Sequence, residues 1–272
     1  MTTPESTNPN QATSEAPLFH AADCHLVVPE LERIATWCKE RQDPVGYFAM
    51  LYRLTTLKIV HAVDKGRFED NERMARMDEI FANRYLDAIS ARAAGQPASA
   101  SWEVTFRAAA NDEITVLQHL FVAMNAHINF DLPVAAAQTC PGDAIEDFEK
   151  DFAKINKILE SLFDIVEQDV AKFWHPLQVL LSLGEDLGNL LLSFAMEAER
   201  KKAWERATEL AKLEPEAQAA RIQALDQEVA ALGEKILDPG LVLSPILREI
   251  RKQEQGTVAE KIEAFHNQLP RL

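Results

Sequence analysis

Glycine is scarce in this chain, nine of 272 residues. Few backbone positions can therefore rely on glycine for left-handed turns, and the alanine- and leucine-rich remainder suits helices. Alternating apolar and polar residues never run beyond about four or five positions, which argues against strands. Cysteine is nearly absent too. Cys24, Cys38 and Cys140 are odd in number and far apart, and no CxxC unit exists. That excludes a disulfide scaffold and a cysteine zinc site. Positive charge is short, with 28 Lys and Arg against 43 Asp and Glu, a net charge of −15. A nucleic-acid footprint needs a basic face, and anionic membranes repel such a chain. No fixed-period repeat is present, so a solenoid is not expected. Met1 to Pro17 has neither a basic n-region nor an apolar h-region. No segment reads as the ~20 consecutive apolar residues of a spanning helix. A cytoplasmic protein is the expectation.

What is present is helix after helix. Residues 1–16 read as a disordered polar tail. A first helix is expected over Pro29–Arg41, a second opened by Asp43-Pro44 and running to Lys65-Gly66, and a third opened by Asp70 and ending before Gly95. Met74, Met77, Phe81, Tyr85 and Ile89 recur at helical spacing along the third. A short helix over Ser101–Ala109 follows, then one capped by Asn111. Pro141-Gly142-Asp143 reads as a turn. Ile145, Phe148, Phe152, Ile155, Leu159, Leu162 and Val166 form an apolar stripe after it. His175-Pro176 marks a break or a start. Helices are expected over Leu187–Leu213 and, more exposed, over Glu214–Leu237. Asp238-Pro239-Gly240 breaks the last, and one or two helices finish the chain. The fold class is all-α, a single bundle-like domain of roughly nine to eleven helices. Its body is residues 17–237, with 238–272 as a C-terminal helical appendage.

One segment departs from ordinary core composition. Gln118 to Pro133 is as apolar as a buried helix, yet carries Gln118, His119, Asn125, His127, Asn129 and Asp131. Each buried polar group without a partner costs roughly 1–3 kcal/mol, so an internal network, a ligand or a metal is implied. On one straight helix, Gln118, Asn125 and Asn129 share a stripe about 40° wide, with His127 nearly opposite. His119 stands about 80° from His127 and about 12 Å along the axis, too far for one metal unless the helix bends sharply. His127 and Asp131 are four apart and can face each other, the arrangement that sets a histidine's tautomer and basicity. Asp131-Leu132-Pro133 also reads as a cap opening a new helix. Both readings of Asp131 stand at this point. His127 is expected to be buried and bonded to Asp131 or to an acidic group such as Asp78. At least two of His119, Asn125, His127 and Asn129 are expected to share a pocket wall.

The runs Leu117-Gln118-His119-Leu120, Met124 to Asn129 and Asp131-Leu132 resemble the signature of an uncharacterised microbial family classed only as a domain of unknown function. Phe48 to Arg53, Met77 to Leu86, Asp151-Phe152 with Ile155-Asn156, and Ala198 to Trp204 fit it as well, over about residues 40–255. The resemblance implies no activity. His127 and Asp131 also match the His-x3-Asp spacing of helical zinc-dependent phospholipase C, but the second such pair those enzymes need is missing.

Elsewhere, Asp78 is a candidate ligand or partner for a histidine. Arg200, four before Trp204, is a candidate to stack on it or bind an anion. Trp102 and Trp204 read as core aromatics. Ser182 and Ser193 lack a nucleophile-elbow context, and Gly184 to Gly188 is not a phosphate loop. The leading expectation is an enzyme acting on a small, fairly apolar molecule. His127, His119 and Asp131 would be its acid–base groups, or would hold a divalent metal. Gln118, Asn125, Asn129, Asp78 and Arg200 would bind the ligand. Alternatives are a non-catalytic small-molecule binder and a helical interaction scaffold.

Overall fold

Helix caps set the element boundaries in the computed structural model, which describes residues 16–155, 157–158, 197–241 and 243–268. Asp23 accepts from the His25 and Leu26 amides and starts α1, Cys24–Arg41. The sequence reading placed that start at Pro29. Helix formation runs through Pro29 because the carbonyl its ring opposes, His25, lies in the exposed first turn. Next come α2, Gly46–Asp64, and α3, Asn71–Ala93, the latter capped by Asp70 as expected. Ser99 caps α4, Ala100–Ala108. Helix α5, Val116–Ala126, begins later than Asn111. Thr115 and Gln118 form a reciprocal capping box there, while Asn111 only turns the chain by accepting from the Glu113 amide at 3.0 Å.

A π turn over His127–Asp131 joins α5 to α6, Leu132–Thr139. A 3-10 turn, Gly142–Phe148, leads into helical residues 149–155. After the undescribed stretch come α7, Glu197–Ala211, α8, Pro215–Leu237, α9, Leu243–Gln253, and α10, Val258–Gln268. No strand occurs among the described residues, and the protein is all-α. The 1–15 part of the tail, the His175-Pro176 feature, the start at Leu187, and Leu159, Leu162 and Val166 of the stripe lie outside the described residues.

Among the described residues two large apolar cores meet along one long helix, beside a small third cluster of Val104, Ala108, Val122, Ala230 and Ile236. The first gathers α1, α2, the second half of α3, α4 and α5 around Leu31, Phe48, Tyr85 and Trp102. Ile250, Ile262 and Phe265 of the 238–272 stretch belong to it. Gly46 makes this possible, since a Cβ there would meet Ile262 at 2.5 Å and Cys38 at 2.8 Å. The second core gathers the first half of α3, α6, the 3-10 turn, α7 and α8 around Met77, Phe148 and Leu210. Helix α8, read from sequence as more exposed, buries Leu225, Val229, Ala230, Gly233 and Ile236. Each large aliphatic side chain so buried contributes roughly 1.5–3 kcal/mol.

The α5–α6 unit, Val116–Thr139, supplies Leu120 and Ala126 to the first core and Phe130 and Ala136 to the second. By length and apolarity it could cross a membrane, contrary to the sequence expectation, but 83% of its most apolar window is buried inside the protein. Its π turn lies where the cores meet. Pro133 accounts for that turn. Its ring opposes the Asn129 carbonyl, and it has no N–H to offer it. The widened turn lets the Leu132 amide reach the His127 carbonyl instead. The Arg206 guanidinium donates to the Asn129 carbonyl at 3.4 Å.

Candidate functional site

The π turn carries the candidate site. Such single wide turns frequently occur at functional positions, because they redirect side chains that a regular helix would place elsewhere. Across this turn His127 and Asp131 keep the facing that a four-residue spacing allows, Nδ1 to Oδ2 at 3.2 Å, both almost wholly buried at 3% and 1% exposure. Asp131 makes no cap bond. Its other contacts replace the cap reading: Arg84 Nε donates to Oδ1 at 3.0 Å, and Trp102 Nε1 donates to Oδ2 at 2.9 Å. One carboxylate thus joins α3, α4 and the π turn. Arg84 offsets its charge and also lies over the Phe130 ring at 4.9 Å.

Aromatic rings enclose His127. Phe81 stacks on it with centroids 3.8 Å apart, Tyr52 meets it edge-on at 4.4 Å, and Phe48 at 5.5 Å. Tyr85 and Trp102 stand at 6.0 and 6.3 Å. Helical spacing assembles this cage: Phe48 and Tyr52 are four apart on α2, and Phe81 and Tyr85 four apart on α3. Burial pushes the imidazole's pKa down. Asp131 opposes that shift, and Arg84 adds to it. The neutral ring bound through Nδ1–H to Asp131 leaves Nε2 as an acceptor, and Nε2 has no hydrogen-bond partner.

Nε2 is not alone. The Tyr52 and Tyr85 hydroxyls and Oδ2 of Asp78 are also buried without a partner. Asp78 lies on α3 one turn before Phe81. Burial is the main cause that lifts its pKa to about 7, with His25 pulling weakly the other way. The Tyr52 phenol is held well above its ordinary range by burial first, then by Asp78 and Asp131. Native interiors satisfy most polar atoms. With Nε2, the two hydroxyls and Asp78 Oδ2 make four buried polar atoms without a partner on α2, α3 and the π turn.

The rest of the sequence-predicted set divides. Gln118 closes the α5 capping box and donates to the Ile236 and Leu237 carbonyls at 3.2 and 3.0 Å, where α8 ends. Asn125 donates to the Val229 carbonyl at 2.9 Å, and Asn129 donates to Asn125 at 3.1 Å. These three fasten the central helix to α8, although Oδ1 of Asn129 stays unpartnered. His119 lies apart from His127, edge-on to Tyr47 at 6.0 Å, in a cleft of about 90 Å³ that none of Asn125, His127 and Asn129 lines. The Arg200 side chain lies outside the described residues. Among those described, no three His, Cys, Asp or Glu groups are placed to share a metal ion.

Sequence reasoning missed Arg84, Tyr52 and Tyr85, and took Trp102 for core alone. The cage rings carry a weak sequence signal, four-residue spacing on adjacent helices, shared by any aromatic core.

No curated protein and no solved structure matches the chain. The model of the family of unknown function DUF5995 matches residues 25–239. That span holds His127, Asp131, Asp78, Arg84 and the whole aromatic cage, and the chain belongs to this family.

Proposed function

We propose that the region around the π turn is an acid–base site for a small, fairly apolar molecule, with His127 as the proton acceptor. The observation that carries this reading is the unpartnered Nε2 of a neutral histidine whose Nδ1 is anchored by Asp131. A base held in one tautomer, shielded from water, is arranged to take a proton at a fixed atom. Asp78 is its counterpart. Its raised pKa keeps part of its population protonated near neutral pH, and opposite shifts of this kind separate an acid from a base. The Tyr52 hydroxyl, whose titration responds to both Asp78 and Asp131, would orient a bound oxygen or nitrogen. Aromatic walls favour a mostly apolar body with one polar group. Phe81 is the cage ring that is only half-buried while stacked on the imidazole, so its displacement opens His127 to an entering molecule.

A divalent metal on His127 and Asp131 is the weaker form of this reading. Asp131 already serves Arg84, Trp102 and His127, and the Arg84 guanidinium opposes a second cation. A scaffold reading is favoured by Gln118 and Asn125, whose bonds all serve packing.

The test uses purified full-length protein. Phenol and benzamide serve as probes, and the ¹⁵N shifts of the His127 ring are read by NMR. Probe-dependent shifts at Nε2 that vanish in Asp78→Asn and Tyr52→Phe are expected. Elemental analysis is expected to give no stoichiometric metal. An unresponsive His127, in a protein stabilised by neither probe, would turn the reading to the scaffold.

A further inference from the structure

A second site is built around the other histidine of the central helix. The cleft beside α5 is walled by the loop before α2, by residues 109–116 and by the α9–α10 corner. Its ~90 Å³ has room for about three waters at the ~30 Å³ that each takes in the liquid. His119 lines it, is 8% exposed, and its ring makes no hydrogen bond with the described residues, only the edge contact with Tyr47. A buried imidazole aimed into a cleft without a partner needs one from elsewhere.

The charges around it choose the ligand. Arg251 and Lys261 line the cleft, and both act on His119 against its protonation. Among the described residues one buried anion faces them, Glu254, at 3.6 Å from Arg251 and 3.8 Å from Lys261. Glu254 also accepts the Val116 amide at 3.0 and 3.3 Å through its two oxygens. Asp112 stands at the rim with its side chain exposed, and its backbone carbonyl takes Arg251 Nε at 2.7 Å. The lining thus sets two cations against one buried carboxylate, with the second carboxylate, Asp112, exposed at the rim, and the cations stand beside a neutral N–H donor. A metal cation is repelled there, and a polyanion would meet Glu254. We propose that this cleft binds a small monocarboxylate, its charge facing Lys261 and Arg251 and one oxygen accepting from His119. The site does not depend on the reading of His127, since none of the π-turn residues lines the cleft.

Sodium acetate is the minimal probe, titrated against full-length protein with sodium chloride at matched ionic strength as the reference. The His119 ring ¹⁵N resonances and the melting temperature are followed. Saturable shifts at His119 and a raised melting point are expected with acetate and not with chloride. Lys261→Met keeps the aliphatic stem and should weaken acetate binding ~10-fold or more, the effect of losing one charge-assisted hydrogen bond. Lys212→Met, on the exposed Glu146 pair, should leave it unchanged. If acetate and chloride act alike, if Lys261→Met binds as the parent does, or if inorganic phosphate binds more tightly than acetate, the proposal falls. Should Lys261→Met fail to fold, His119→Leu replaces it, with the acetate-dependent melting shift as the readout and the same loss expected.

Discussion

His119 and His127 stand eight residues apart on one helical unit, both buried, both with a pKa held down by burial. Yet they live in different chemistry. His127 has a carboxylate on one nitrogen, an orphaned nitrogen on the other, and aromatic rings around both. His119 has no carboxylate partner, one ring neighbour and two cations nearby. The difference comes from the residue one turn further on. Four positions after His119 stands Ala123, and four after His127 stands Asp131, so only His127 has a carboxylate beside it. A histidine on an apolar helix is thus defined less by its burial than by what the next turn of backbone places beside it.

The sharpest way to break this contrast is to remove the aspartate. Asp131→Ala leaves the Arg84 charge without its carboxylate, the Trp102 N–H unbonded and His127 without its anchor. A loss of roughly 3–5 kcal/mol is expected, the usual effect of removing one partner from a buried ion pair. Urea unfolding with an unchanged slope would measure it. A loss under about 1 kcal/mol would mean that Asp131 does not organise the π turn.

Asp78 should respond in the opposite direction. Its folded pKa, about 7, lies above the unfolded value near 3.8. Its contribution is therefore fully present below pH ~3.8 and is lost as pH rises through 7. Asp78→Asn removes that loss. It should stabilise the protein by up to about 4 kcal/mol at pH 8 and by almost nothing at pH 4. Melting curves at the two pH values decide. A gain in stability accompanied by lost probe response at His127 is the trade expected of a residue kept for function.

Much of the frame was legible. Asp70 and the Pro141-Gly142 turn act as their sequence chemistry suggests, because capping and left-handed glycine are local effects. The start of α5 was also readable, since Thr115-Val-Leu-Gln118 has capping-box spacing, but Asn111 with two acids after it competed. The density of polar groups pointed to a helix whose polar side chains are buried, as the structure shows. How those groups divide was not readable, because their partners come from far along the chain: Val229 for Asn125, Ile236 and Leu237 for Gln118, Arg84 for Asp131. The π turn hid the rest. A straight helix at 100° per residue cannot show that Pro133 widens the coil around His127.

Asn125 tests the fastening role on a smaller scale. Asn125→Ala frees the Val229 carbonyl and the Asn129 amide, and a loss of about 1–2 kcal/mol is expected by chemical denaturation. His127 ring resonances should stay in place, because none of the bonds that hold the imidazole involves Asn125.

The smallest effect at neutral pH should come from His119→Leu. The variant loses the edge contact with Tyr47, worth roughly 0.5–1 kcal/mol, and sheds an unpartnered polar ring from a buried position. These nearly cancel, and a change within about 1 kcal/mol is expected at pH 7.5. Acid separates the variant from the parent. The folded pKa of His119 is about 3 against 6.5 for the free ring, so below pH 6.5 the unfolded chain takes up a proton that the folded one refuses. The parent loses stability steadily as pH falls toward 3, and His119→Leu should not lose that share. A flatter stability profile between pH 6 and 4, read from thermal melts, is the result that keeps the two histidines distinct. Parallel profiles would mean that His119 reaches solvent when charged, and would remove the buried, unpartnered ring on which the carboxylate cleft rests.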